Sequence, residues 1–200
     1  MSMIKQTALA LIVSASHSML AGEQAVPVIE PRLASAYFTT VRETYAKAQP
    51  GSIYWTINED RKTLLKLYDE KAPEKFLAAV GPWLLKCPVD ARVHIMAASL
   101  AARLGKFEDS IRYRNAYYGL LASIVNSGDG KTPSTAFKVI STDEEYTILN
   151  FMGAELKKQS LKGFCDVMEV IIEGKPITIY FDVSIHLQAL QRELDSANSK

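Results

Sequence analysis

Ser127-Gly128-Asp129-Gly130-Lys131-Thr132-Pro133 is where this chain changes its period. Glycine, aspartate and proline crowd into these seven positions, the chemistry of turns. Before them, apolar residues recur every three or four positions, as in amphipathic helices. After them, runs appear in which apolar and polar residues alternate, as in strands with one buried face. The chain is therefore expected to be α+β. A helical bundle with repeat-like helix hairpins comes first, and a small antiparallel sheet with flanking helices follows.

Upstream of the turn, the helices have readable ends. Tyr37, Val41 and Tyr45 repeat every four residues over 34–48, and Gln49-Pro50-Gly51-Ser52 stops that helix. Asn58 suits the cap of a second helix, which runs to about Glu70 with Leu64, Leu65, Leu67 and Tyr68 as its apolar part. Pro73 opens a third, ending at Cys87-Pro88. Asp90 caps a fourth, with Val93, Met96, Ala97, Leu100, Ala101 and Leu104 on one side and Gly105 at its end. A fifth spans about Phe107 to Asn126, with Phe107, Ile111, Tyr118, Leu121 and Val125 on one face. The short link between the last two predicts an antiparallel hairpin. Leu104-Gly105-Lys106-Phe107-Glu108-Asp109-Ser110-Ile111 resembles the turn of a tetratricopeptide repeat over about one repeat.

Downstream, Ala136 to Ser141 reads as a short strand. Thr142 and Glu145 have the spacing of a capping box for a helix through Tyr146, Leu149 and Met152, closed by Gly153. Glu155–Lys162 and Phe164–Ile172 are expected strands. After the turn Glu173-Gly174-Lys175-Pro176, residues Ile177, Ile179, Phe181 and Val183 alternate with Thr178, Tyr180 and Asp182, the clearest strand in the chain. Ser184 then suits the start of a last helix bearing Leu187, Leu190 and Leu194. Three or four strands in an antiparallel sheet are expected.

The amino terminus carries a different signal. Lys5 precedes the uncharged run Thr7-Ala8-Leu9-Ala10-Leu11-Ile12-Val13-Ser14-Ala15, small residues follow, and the first acid is Glu23. This is the layout of a cleavable secretory signal peptide, with Ala21 the preferred cleavage position. The run is shorter than the roughly 20 apolar residues of a membrane span. Glu23 stands where a lipoprotein would carry its lipidated cysteine, so the expected product is soluble, periplasmic or secreted. The expected organisation is a signal peptide over 1–21, an extended lead-in over 22–33, a helical part over 34–127 and an α+β part over 128–200.

The remaining chemistry is sparse. A net charge of +1 with acids and bases interspersed argues against a nucleic-acid binder. Gly130-Lys131-Thr132 lacks the earlier glycine of a phosphate loop, since Val125 stands there, and Pro133 follows it. Asp129, Gly130, Lys131 and Thr132 are read as a turn with a possible functional role. No cofactor is expected. His94 lies four residues after Asp90, but zinc-type sites need three or four converging ligands. Cys87 falls on an apolar stripe with Phe76, Val80, Trp83 and Leu84, so it reads as core, although a bridge to Cys165 is open in an oxidising compartment. Glu144 and Glu145 read as first-turn acids that favour the helix dipole. Asp166, Glu169 and Asp182 could share a sheet face. Arg112, Tyr113, Arg114 and Tyr117 crowd one helix in the manner of a protein-binding surface, against the plainer reading that the tyrosines pack inward.

Asp129-Gly130-Lys131-Thr132, Thr135-Ala136-Phe137, Val139-Ile140-Ser141 and Glu144-Glu145-Tyr146 resemble a bacterial family of exported proteins, domain of unknown function 4919. The resemblance implies a bacterial envelope protein and brings no activity, cofactor or catalytic residue. The expected function is a non-enzymatic, exported protein-interaction module, envelope-associated or toxin-neutralising, with a protein partner and no nucleic acid. The alternative is a hydrolase of an envelope polymer or small molecule, using the carboxylates of the C-terminal part and His186.

Overall fold

A computed structural model describes residues 31–48 and 52–198. The predicted signal peptide and most of the lead-in lie outside the described residues. Five helices come first: α1 (Pro31–Ala48), α2 (Glu59–Asp69), α3 (Pro73–Lys86), α4 (Ala91–Arg103) and α5 (Phe107–Val125). They are followed by β1 (Phe137–Lys138), α6 (Thr142–Phe151), β2 (Glu155–Lys162), β3 (Cys165–Ile172), β4 (Lys175–Asp182) and α7 (Ser184–Asn198). This is the expected α+β arrangement, helices first and a small sheet after. No described helix is long and apolar enough to cross a membrane.

The predicted helix starts hold at all three helices where they were placed upstream of the sheet. The Asn58 side chain accepts from the Asp60 amide at 2.9 Å, Pro73 occupies the first turn of α3, and the Asp90 carboxylate accepts from the Val93 amide. Such a cap satisfies an otherwise orphaned N–H. At α6 the cap is one residue earlier than expected. Ser141, not Thr142, is extended and takes the Glu144 amide. The lead-in expectation also ends early, because residues 31–33 already belong to α1.

α4 and α5 form the expected antiparallel hairpin, pinned where the Ser110 hydroxyl donates to the Ala98 carbonyl at 2.8 Å. α1 crosses α5 at Gly119. A Cβ there would lie 2.1 Å from the Phe38 ring, so only glycine lets the two helices approach this closely. The stripe that α1 buries is therefore Phe38, Val41, Arg42, Tyr45 and Ala46, and Tyr37, expected inside, is 65% exposed.

The sheet has the order β1-β4-β3-β2. The β2–β3 and β3–β4 pairs are antiparallel, as predicted, but β1 lies parallel to β4, with Phe137 opposite Phe181. The reason is topological. β1 leaves the turn after α5 heading along β4, and α6 returns the chain to the far edge of the sheet, so no hairpin constrains β1 to run antiparallel.

Two apolar cores meet on α5. One gathers Trp55, Phe76, Val80, Trp83, Val93 and Leu100 from the helical half. The other gathers Leu121, Ile124, Phe137, Ile148, Met168, Ile179 and Phe181 beneath the sheet. Tyr117 packs against both.

Candidate functional site

The first turn of α6 reads Thr142-Asp143-Glu144-Glu145. Successive helical positions lie about 100° apart, so three consecutive acids point three ways, and here each meets something different. Asp143 lies 3.7 Å from the Arg61 guanidinium of α2. Glu144 takes two hydrogen bonds from Arg42 of α1, both at 2.6 Å, and a third from the Ile140 amide. Arg42 completes its shell with the Ser123 hydroxyl and the Lys138 carbonyl. Arg61 in turn grips Asp90 at 2.6 Å, and Asp90 also accepts from the Trp83 indole at 3.0 Å. Burial and the neighbouring Asp90 carboxylate hold the Asp143 carboxyl above its ordinary range, against the pull of Arg61. The buried Arg42–Glu144 pair thus bolts the sheet half to the helical half, and the Arg61–Asp90 pair of the helical half reaches α6 through Asp143. Charges removed from water in this way need close partners and satisfied lone pairs, which Glu144 and Asp90 have.

Glu145 has neither. It is 0% exposed, and among the described residues no donor reaches either of its oxygens. Its neighbour is the Asp166 carboxyl of β3, so the two can share a hydrogen bond only if one of them carries a proton. Burial, then Asp166, push the Glu145 carboxyl from its ordinary 4.5 up to about 9. At neutral pH Glu145 is therefore a carboxylic acid, able to donate its proton to an Asp166 oxygen.

Asp166 is half-buried and opens toward the surface. The Gln159 amide donates to it at 2.6 Å, and the Tyr146 hydroxyl donates to Gln159 at 3.0 Å. Across the ladder it faces Leu161 on β2 and Phe181 on β4. His186, in the first turn of α7, lies within its field. Burial lowers the imidazole's pKa and Asp166 opposes that shift. The His186 ring meets Tyr54 edge-on, with centroids 5.6 Å apart. The turn between β2 and β3 is tied to the start of α7 by the Val183 amide donating to the Phe164 carbonyl at 2.9 Å. Beside the acid pair, Leu161 and Phe164 are 57% and 63% exposed and Tyr146 is 40% exposed.

The other sequence candidates fall elsewhere. Glu169 sits on the opposite face of β3 and pairs with Lys158 at 3.5 Å, and Asp182 accepts from the Ser184 amide at the start of α7. Of the expected carboxylates, only Glu145 and Asp166 are brought together. Glu144 and Glu145 do sit in the first turn of α6, as expected, and both are buried there. Asp129 is spent on its own turn: its carboxylate accepts from the Lys131 amide and the Thr135 hydroxyl, and Thr132 bonds Ser134 and Thr135. Gly130 holds a φ of +68° with the Phe137 ring 2.4 Å from where its Cβ would be. Arg112 is exposed, pairs with Asp109 and lies 5.2 Å over the Tyr113 ring. Tyr113 packs on the first core beside His94, Tyr117 joins both cores, and Arg114 is half-buried. His94 reaches the Pro88 carbonyl at 3.0 Å, and Asp90 is taken up by Arg61. No group of three or more metal-ligating side chains exists among the described residues. Cys87 and Cys165 are both free, Cys87 buried in the helical core and Cys165 at the sheet.

These features define a class: an α+β domain in which helix hairpins and a four-stranded mixed sheet are joined through the acidic first turn of one helix. Residues 55–192 match the family model described as Domain of unknown function (DUF4919), and the chain belongs to that family. The matched span holds the Arg61–Asp90–Asp143 cluster and the Glu145–Asp166–His186 group, while Arg42 comes from the preceding helix. Neither a curated protein nor a solved structure matches the chain.

Proposed function

We propose that this is an exported bacterial protein whose mature domain, released by cleavage near Ala21, acts by binding a protein partner in the periplasm or outside the cell. One observation carries the reading. At the tip of the β2–β3 hairpin Leu161 and Phe164 stand more than half exposed, beside the acid pair. Apolar side chains grouped in this way, with polar groups around them, suit a partner surface. The Arg112–Tyr117 stretch contributes less than its sequence promised, because Tyr113 and Tyr117 are used in packing. A photo-crosslinking residue at position 164 is expected to capture a defined partner in intact cells, while the same residue at Glu74, on α3, is not. Equal capture at both sites, or none, refutes the reading. Mass spectrometry of the periplasmic protein is expected to show an amino terminus near Gly22, and an intact Met1 there refutes export.

The hydrolase reading has one observation in its favour. A glutamic acid that stays protonated at neutral pH, as Glu145 does, is in the state of a general acid. Against it, Glu145 is sealed from any substrate, and Glu169 and Asp182 lie apart from it. Turnover of an envelope polymer abolished by Asp166→Asn would revive it.

A further inference from the structure

We propose that the Glu145–Asp166 pair is the anchor for an arginine or lysine side chain of the partner. This inference rests on the binding reading above. The pair holds two carboxyls, and the donor on Asp166 is the neutral Gln159 amide. Among the described residues no lysine or arginine forms an ion pair with either acid. Elsewhere in the molecule the buried acids Glu144 and Asp90 each hold their own arginine. Glu145 breaks that pattern: wholly buried, with both oxygens lacking a donor, it is aimed at Asp166.

The groups facing the pair are Gln159 from β2, His186 from α7 and Glu144 on Glu145's own helix. None supplies a fixed positive charge. Leu161, directly across the ladder from Asp166, and Phe164 at the turn form an apolar rim. A basic side chain has the matching form, an apolar stem that lies along such a rim and a charged head that hydrogen-bonds carboxylate oxygen. A free cation without a stem gains nothing from the rim.

Docking has a consequence that an ordinary surface contact lacks. The incoming cation touches Asp166, and its field favours the ionised form of Glu145 behind it. Glu145 therefore gives up its proton when the site fills.

The test is a calorimetric titration of the mature protein at pH 7.5 in buffers of different ionisation enthalpy. The probe is a capped peptide with arginine between two leucines. The expected result is saturable binding with proton release, and no binding of the same peptide with glutamine in place of arginine. Phe164→Ser is expected to weaken binding roughly tenfold, and Asp166→Asn to abolish it. Glu145→Gln, which keeps the hydrogen bond to Asp166, is expected to bind the peptide without releasing a proton. Equal binding of the two peptides, unchanged proton release in Glu145→Gln, or preference for spermidine over the peptide overturns the inference. Its failure is distinct from failure of the binding reading, which is decided by crosslinking at position 164.

Discussion

Replacing Glu145 by glutamine should make this protein more stable at neutral pH. The wild-type carboxyl is wholly buried and its pKa is raised from 4.5 up to about 9. In the unfolded chain it ionises near its ordinary value. Between those values the native state therefore holds a proton that the unfolded state has lost. The sign follows: stability is greatest below the unfolded value and falls as pH rises toward the folded one, by about 1.4 kcal/mol per pH unit. From pH 5.5 to 7.5 the loss is about 3 kcal/mol. For a domain of this size that corresponds to a Tm change of roughly 6–12 °C. Glutamine has nearly the same shape and donates an N–H to Asp166 without needing a proton. Thermal unfolding of both proteins across that range is the assay. The wild type should lose Tm as pH rises, and the variant should overtake it at pH 7.5 while matching it near pH 5. His94 and His186, whose pKa values burial lowers, contribute with the opposite sign. Both remain in the variant, so the difference between the two curves isolates position 145. Parallel curves, or a variant that melts lower at pH 7.5, would refute the picture of a protonated Glu145.

Further expectations concern the bolts and the turn. Arg42→Met leaves Glu144 charged and buried without its partner, and should cost about 3–5 kcal/mol in denaturant unfolding. The double change with Glu144→Leu should recover much of that, and full additivity would mean the two do not interact. Asp90→Asn weakens four hydrogen bonds, two from Arg61 and one each from the Trp83 indole and the Val93 amide, and should cost about 2–4 kcal/mol by the same assay. Gly130→Ala forces a Cβ into the Phe137 ring at a left-handed φ. A loss of about 1–3 kcal/mol is expected, and a smaller change would show that the turn adapts. Burial pushes the Cys87 thiol up to about 12, so in the folded protein a thiol reagent should modify Cys165 first, with Cys87 following only on unfolding.

Much of the fold was written locally. Asn58, Pro73 and Asp90 mark helix starts because capping is a contact among near neighbours in sequence, and Ile177-to-Val183 alternates because one face of a strand is buried. The period change at Ser127–Pro133 separates helices from sheet for the same reason. The buried charges left only a faint trace. Arg42 stands between Phe38 and Ala46 at four-residue spacing, and Glu145 precedes Ile148 and Leu149 by three and four, so both occupy positions where an apolar residue belongs. A charged residue at such a position has two readings, solvated at the edge of the stripe or paired inside, and local spacing cannot choose between them. The choice depends on partners 102 residues away for Arg42 and Glu144, and on a strand that meets Glu145 only after the sheet has formed. Thus the chain's order of elements, its turns and most of its caps follow from the sequence alone, through interactions within a few residues. The parallel placement of β1, the bolting of the two halves and the pairing of Glu145 with Asp166 were decided by tertiary structure, because desolvation and charge pairing depend on what the fold brings together.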